Sequence, residues 1–224
     1  MELEIDKKEL TALLQYQIHN LFKITNSEKI TISKNINNVL SRIEFCLSKS
    51  KNKYCKKNNK TFFNPFHSGQ YSIFLYYFSN SIYNTYKESQ IGLANKIYYL
   101  NKSLNGLDLL YDVKMPKVFF LEHPVGSVLG KAKYGEYFTF FQGCTVGGNK
   151  GVYPKIGKHV KMLSGSKILG NCNVGDQVIF SANSYIKDTS VPSNTIVFGH
   201  SPSNKFKKIK NFKALINRYF EGDL

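Results

Sequence analysis

Residues 156–187 read IGKHVKMLSGSKILGNCNVGDQVIFSANSYIK, and an apolar residue recurs there at every sixth position: Ile156, Met162, Ile168, Val174, Phe180 and Ile186. The residues that follow them are Gly157, Leu163, Leu169, Gly175, Ser181 and Lys187. A helix repeats near 3.6 residues and a half-buried strand at 2, so neither produces this spacing. A β-helix does: each hexapeptide makes one short strand and one corner, and the apolar residue points into a prism.

Upstream, Val128, Tyr134, Phe140 and Val146 keep the spacing, and Leu109, Met115 and Leu121 form an earlier run. Two slips interrupt the pattern. The step from Leu121 to Val128 is seven and encloses Glu122-His123-Pro124; the step from Val146 to Ile156 is ten and encloses the Gly- and Pro-bearing segment Gly147 to Lys155. Chains break their own pattern most often at functional sites, so both slips are candidate site markers. Insertions at the corners of a solenoid are also tolerated without function, and neither slip alone decides the matter.

The stretch before the repeat predicts helices. Asp6 with Glu9 reads as a capping box, followed by Leu10, Leu13, Leu14, Leu21 and Phe22 as an apolar face. Ile36, Leu40, Ile43 and Leu47 form a second stripe, residues 48–63 a Lys/Asn-rich loop, and Ile73, Phe74, Tyr77 and Ile82 a third helix from about Gly69. A fourth, around Ile91 to Leu104, ends at Gly106. Phe206, Ile209, Phe212, Leu215, Ile216 and Tyr219 suggest a basic amphipathic C-terminal helix able to cover the prism end. The expected fold class is α+β: a helical region over 1–106, a β-helix of about five coils over 107–204, and a C-terminal helix over 205–224.

The chain of 224 residues carries a formal charge of +16, which invites a nucleic-acid reading. Of 31 basic residues only Arg42 and Arg218 are arginine. Phosphate recognition favours the arginine fork, so no nucleic-acid partner is expected; the lysines still provide a field that attracts an anionic substrate. Cys46, Cys55, Cys144 and Cys172 form no CxxC pair, no secretory signal precedes them, and no apolar run approaches the ~20 residues of a membrane span. These features predict a soluble cytoplasmic protein with reduced thiols and no transmembrane segment. A zinc enzyme on such a prism needs three converging histidines. Only His123 and His159 fall in the repeat, so no metal is expected.

From Phe119 onward the chain resembles the serine acetyltransferase branch of the hexapeptide-repeat acyltransferases. The matching stretches are Leu121-Glu122-His123-Pro124-Val125-Gly126, Cys144-Thr145-Val146-Gly147-Gly148, Tyr153-Pro154-Lys155-Ile156-Gly157 and Lys167-Ile168-Leu169-Gly170-Asn171. Val191-Pro192-Ser193-Asn194 and Gly199-His200-Ser201-Pro202 are similar to the family's exit from the prism. The resemblance implies a left-handed parallel β-helix, a homotrimer with acetyl-CoA held between neighbouring prisms, and acetyl transfer to a hydroxyl. Whether the helical half joins two trimers is left open.

O-acetylation needs a base for the hydroxyl proton, and an imidazole, with an unperturbed pKa near ~6.5, suits that work. The resemblance places His123 as that base with Glu122 beside it, either orienting it or facing substrate. Gly147 and Gly148 offer backbone N–H groups to an oxyanion. Ser164, Gly165, Ser166, Ser181 and Ala182 match family positions that contact CoA, and Lys187 could meet its phosphates. Tyr153 and His67 are candidate acceptor contacts; His19 and His159 read as surface residues. The cysteine-precursor enzymes carry a basic residue and a second histidine where this chain has Val152 and Tyr153. That departure removes an anchor for a zwitterion and points to a sugar hydroxyl in a nucleotide sugar or surface polysaccharide, with serine as the alternative acceptor.

Overall fold

A computed structural model of the chain describes residues 1–212; the residues beyond Phe212 of the expected C-terminal helix lie outside the described residues. The chain forms two compact units, residues 1–48 with 53–112, and residues 49–52 with 113 onward.

The first unit holds four helices, α1 (Lys7–Leu21), α2 (Asn26–Ser48), α3 (Ser68–Tyr86) and α4 (Ile91–Asn105). Asp6 caps α1 by accepting from the Glu9 N–H at 2.8 Å, satisfying an orphan donor of the first turn. Leu10, Leu14 and Ile18 of α1 are buried, as are Ile36, Ile43 and Leu47 of α2. α3 is buried almost all round. α4 stops where Gly106 takes φ 62, a left-handed conformation that costs glycine nothing, and donates to the Lys102 carbonyl. The expected loop 48–63 is in part a small sheet: Lys60–Phe63 pairs with Lys56–Lys57 in a hairpin and with Glu2–Leu3 in parallel. Asn58 and Asn59, at φ 51 and 58, supply the two left-handed residues that such a hairpin turn needs.

The second unit is a three-faced, left-handed parallel β-helix. On the first face Phe119–Leu121, Phe138–Phe140, Lys161–Met162, Ile179–Phe180 and Thr195–Phe198 pair in that order. On the second lie Ser127–Leu129, Thr145–Gly147, Lys167–Leu169 and Tyr185–Lys187. On the third, Lys133–Tyr134, Lys155–Ile156 and Asn173–Val174 pair, and Val191 bridges Val174. Ile156, Met162, Ile168, Val174, Phe180 and Ile186 are all buried, stacking into one apolar column per face. Left-handed residues stand one above another at the corners: Gly126, Gly143, Gly165 and Asn183 form one column.

Three expectations fail locally. Val128 is 43% exposed, and its neighbour Leu129, 1% exposed, is the inward residue in register with Val146. Pleating lets only one of two adjacent apolar residues face in, and buried Ser127 sets the parity by accepting from the Cys144 N–H and donating to the Phe141 carbonyl. Leu109 and Met115 lie in no strand, and the first strand of the first face is Phe119–Leu121. Residues Lys205–Lys208, expected to begin a helix, form a strand antiparallel to Thr195–Phe198. The last coil would otherwise offer a bare row of N–H and C=O groups, and a lysine-rich strand closes that edge. Ile209 and Phe212 then bury against Ile179, with Leu163 and Ile196 packed beside them.

Candidate functional site

The first slip is wider than the sequence indicated. With Leu129 as the inward residue, Leu121 to Leu129 is eight residues, against six from Phe140 to Val146 on the coil beside it. The extra residues fold into a corner with two left-handed positions, His123 at φ 50 and Gly126 at φ 72. Glu122 makes the last rung bond, its N–H donating to the Phe140 carbonyl, and Ser127 N–H closes the turn onto the Pro124 carbonyl. Pro124 is buried and anchors the corner; Val125 is 64% exposed. A non-glycine residue at positive φ costs roughly 1 kcal/mol or more and collects at sites where a side chain must be aimed. The His123 residue is exposed.

The second slip is a tight hairpin. Asn149 and Val152 exchange both backbone hydrogen bonds, at 2.9 and 3.0 Å, around Lys150 and Gly151 at φ 50 and 77. Positive φ at both central residues is the signature of a type I′ turn. The Tyr153 ring packs over Gly148, where an added Cβ would stand 2.8 Å from the ring, so a side chain at 148 would displace it. The Asn149 amide donates to Asp188 Oδ2 at 2.8 Å, while Asp188 Oδ1 accepts from the Asn171 N–H at 2.7 Å. The Asn171 N–H, with help from the Asn149 amide, holds the Asp188 carboxyl below its ordinary pKa against an opposing cost of desolvation.

The predicted residues fall on two edges of the second face. Ser164 and Gly165, and Ser181 and Ala182, occupy the corner column that begins at His123 and Gly126. At roughly 4.8 Å per coil they stand about 10 and 14 Å along the prism from it. Ser166 is fully buried with its Oγ 3.6 Å from Cys144 Sγ, which makes its side chain part of the core. Gly147, Leu169 and Lys187 form one row at the far side of the face, beside the hairpin that carries Gly148 and Tyr153. Gly143 and Gly147 are four residue steps apart, roughly 13 Å at about 3.3 Å per step.

His67 lies in the helical unit, where its Nδ1 accepts from the Gln70 N–H at the start of α3 and its ring faces Tyr54 at 5.4 Å. His159, expected at the surface, is half-buried and stacked on Tyr137 at 4.5 Å, and burial lowers its pKa. Burial raises the thiol pKa of Cys144 and of Cys172, which keeps both protonated and inert. Among the described residues no group of His, Cys, Asp and Glu could hold a metal ion. Asn149 and Asp188 escaped the sequence reading because partners 39 residues apart meet only after two coils have been wound.

A prism of this kind, with its short rungs and stacked corners, is a hexapeptide-repeat β-helix. No protein-family model matches the chain. The serine acetyltransferase of Staphylococcus epidermidis is 37% identical over 119 residues, 51% of this chain and 55% of the relative. In that match the chain spans about half the relative's length. The serine acetyltransferase of Staphylococcus aureus is 29% identical over 183 residues, 70% of this chain and 84% of the relative. A solved serine acetyltransferase in complex with cysteine superposes with a TM-score of 0.66 at 18% identity, covering 90% of this chain and 85% of that one. The Neisseria gonorrhoeae serine acetyltransferase in complex with serine gives a TM-score of 0.64 at 20% identity, covering 88% and 83%. At such identities the solved structures establish the fold. Sequence and fold together make this chain similar to the serine acetyltransferases.

Proposed function

We propose that the protein is an acetyl-CoA-dependent O-acetyltransferase with serine as acceptor. The exposed His123 imidazole, aimed from the irregular corner of an otherwise regular prism, carries the reading. His123 takes the proton of the acceptor hydroxyl as its oxygen attacks the thioester carbon. N–H groups of the Gly147-Gly148 segment donate to the oxyanion, and collapse of the tetrahedral intermediate returns the proton to the departing CoA sulfur. Glu122 is the neighbouring acid, free to orient the acceptor or the imidazole. Ser164, Gly165, Ser181 and Ala182 would line the cofactor edge, with Lys187 toward its phosphates.

The polysaccharide reading gives way. It rested on Val152 and Tyr153 in place of a basic residue and a histidine, whereas relatives and structural neighbours alike carry the serine acetyltransferase name. The exposed aromatic Tyr153 and the apolar Val152 keep a sugar hydroxyl as the second reading.

The two half-sites stand on opposite edges of one face. Packing one protomer's His123 edge against the next protomer's hairpin edge would unite them, and this supports a homotrimer. Among the described residues no helix is long and apolar enough to cross a membrane, and four buried cysteines that form no disulfide among the described residues fit a reducing cytoplasm. An acceptor panel with acetyl-CoA, read by mass spectrometry, tests the function: O-acetylserine is expected, and acetylation confined to sugars would replace serine with the second reading.

A further inference from the structure

Three successive coils meet at the corner below the hairpin. Asn149 comes from one, Gly170 and Asn171 from the next, Asp188 from the third. The Asp188 backbone is at φ 49 and its N–H donates to the Leu169 carbonyl, which fixes the stem of its side chain. Its two carboxylate oxygens are then divided, one to the Asn171 N–H and one to the Asn149 amide. Gly170, at φ 77, makes room for both: a Cβ there would collide with Asp188 Oδ1 and stand 2.7 Å from Asn149 Cβ. The hairpin residues Lys150 to Tyr153 are exposed, and Asn149 is the point where a side chain of the coil beyond Gly170 grips it.

We propose that Asp188 is a positioning residue of the transfer site, holding Asn149 so that the Gly148 N–H keeps its place toward the oxyanion and the Tyr153 ring its place toward the acceptor. This rests on reading the hairpin as part of that site. Asp188 touches no reacting atom; it acts through Asn149. A carboxylate suits the task because it is an acceptor on both sides, with no donor to repel either amide. The flanking Lys187 and Lys150 further favour its charged form.

The test compares Asn149→Ala, Asp188→Ala and the double variant of the full chain. Displacing a positioning loop by about 1 Å costs up to about 10²-fold, so each single variant is expected to lower kcat/KM for the acceptor about tenfold. Binding of CoA should stay within twofold of the parent, and the double variant should lose no more than the worse single one. Hydrogen exchange at the Asn149 and Val152 amides should quicken in all three. Additive losses, equal losses of CoA binding and of kcat/KM for the acceptor, or unchanged exchange would each overturn the proposal. The exchange arm needs no turnover: if the parent acetylated no acceptor, the functional reading would fail while the coupling of Asp188 to the hairpin was still decided.

Discussion

The two interruptions of the repeat are built in opposite ways. The corner from Glu122 to Gly126 spends its extra residues on two left-handed positions and leaves His123 exposed. The hairpin from Gly147 to Lys155 spends its extra residues on a closed turn, then ties itself to the coils beyond through Asn149 and Asp188. One leaves an imidazole exposed; the other holds backbone and a ring at a set position. A site needs both, because a base is useful only against a substrate held still.

Changing the first corner should affect chemistry and spare the fold. His123→Gly removes the imidazole at a backbone conformation that glycine adopts freely. Loss of a general base should lower kcat by about 10²–10⁴-fold. The melting temperature should hold or rise; a collapse of the fold would show that His123 is structural.

Gly170→Ala should affect the fold first. The left-handed φ costs alanine about 1–2 kcal/mol, and the Cβ collides with the Asp188 carboxylate and Asn149. Denaturant unfolding should show that loss or more, with faster proteolysis within residues 147–155. An unchanged midpoint would mean that the three coils are not locked there.

A smaller effect is expected at Gly148→Ala, where the added methyl pushes the Tyr153 ring aside. The acceptor KM should rise several-fold while stability stays close to the parent, since the ring is nearly half exposed.

The smallest effect is on pH. The Asp188 carboxyl titrates lower in the folded chain than unfolded, so its contribution is present above the unfolded value near ~3.9 and is lost as pH falls through the folded value. Hairpin exchange rates should therefore follow ordinary base catalysis from pH 8 to 5, with extra opening only in acid. Extra opening near neutrality would assign the control to another group.

The prism was legible because six-residue spacing has few physical causes, and the inward residues from Ile156 to Ile186 obey it without exception. The register at Val128 and Leu129 was not, because both are apolar and only the Ser127 bridge to the coil beside it chooses between them. The segment Lys205–Lys208 was misread because Phe206, Ile209 and Phe212 fit a helical spacing, while pairing with Thr195–Phe198 decided the outcome. The irregular corner at His123 could be found from its slip in the repeat; the strain at φ 50 and the exposure of its ring needed the structure. The small sheet within residues 48–63 depends on Glu2–Leu3, a pairing across some sixty residues that no local pattern announces, although Asn58-Asn59 was a turn signal.

The most direct measurement of the central claim is release of free CoA thiol when the full chain is mixed with acetyl-CoA and L-serine, set against the same assay on His123→Ala. The account predicts serine-dependent thiol release by the parent and a fall of at least about 10²-fold in the variant, with CoA still bound. Equal rates from the two proteins would contradict it.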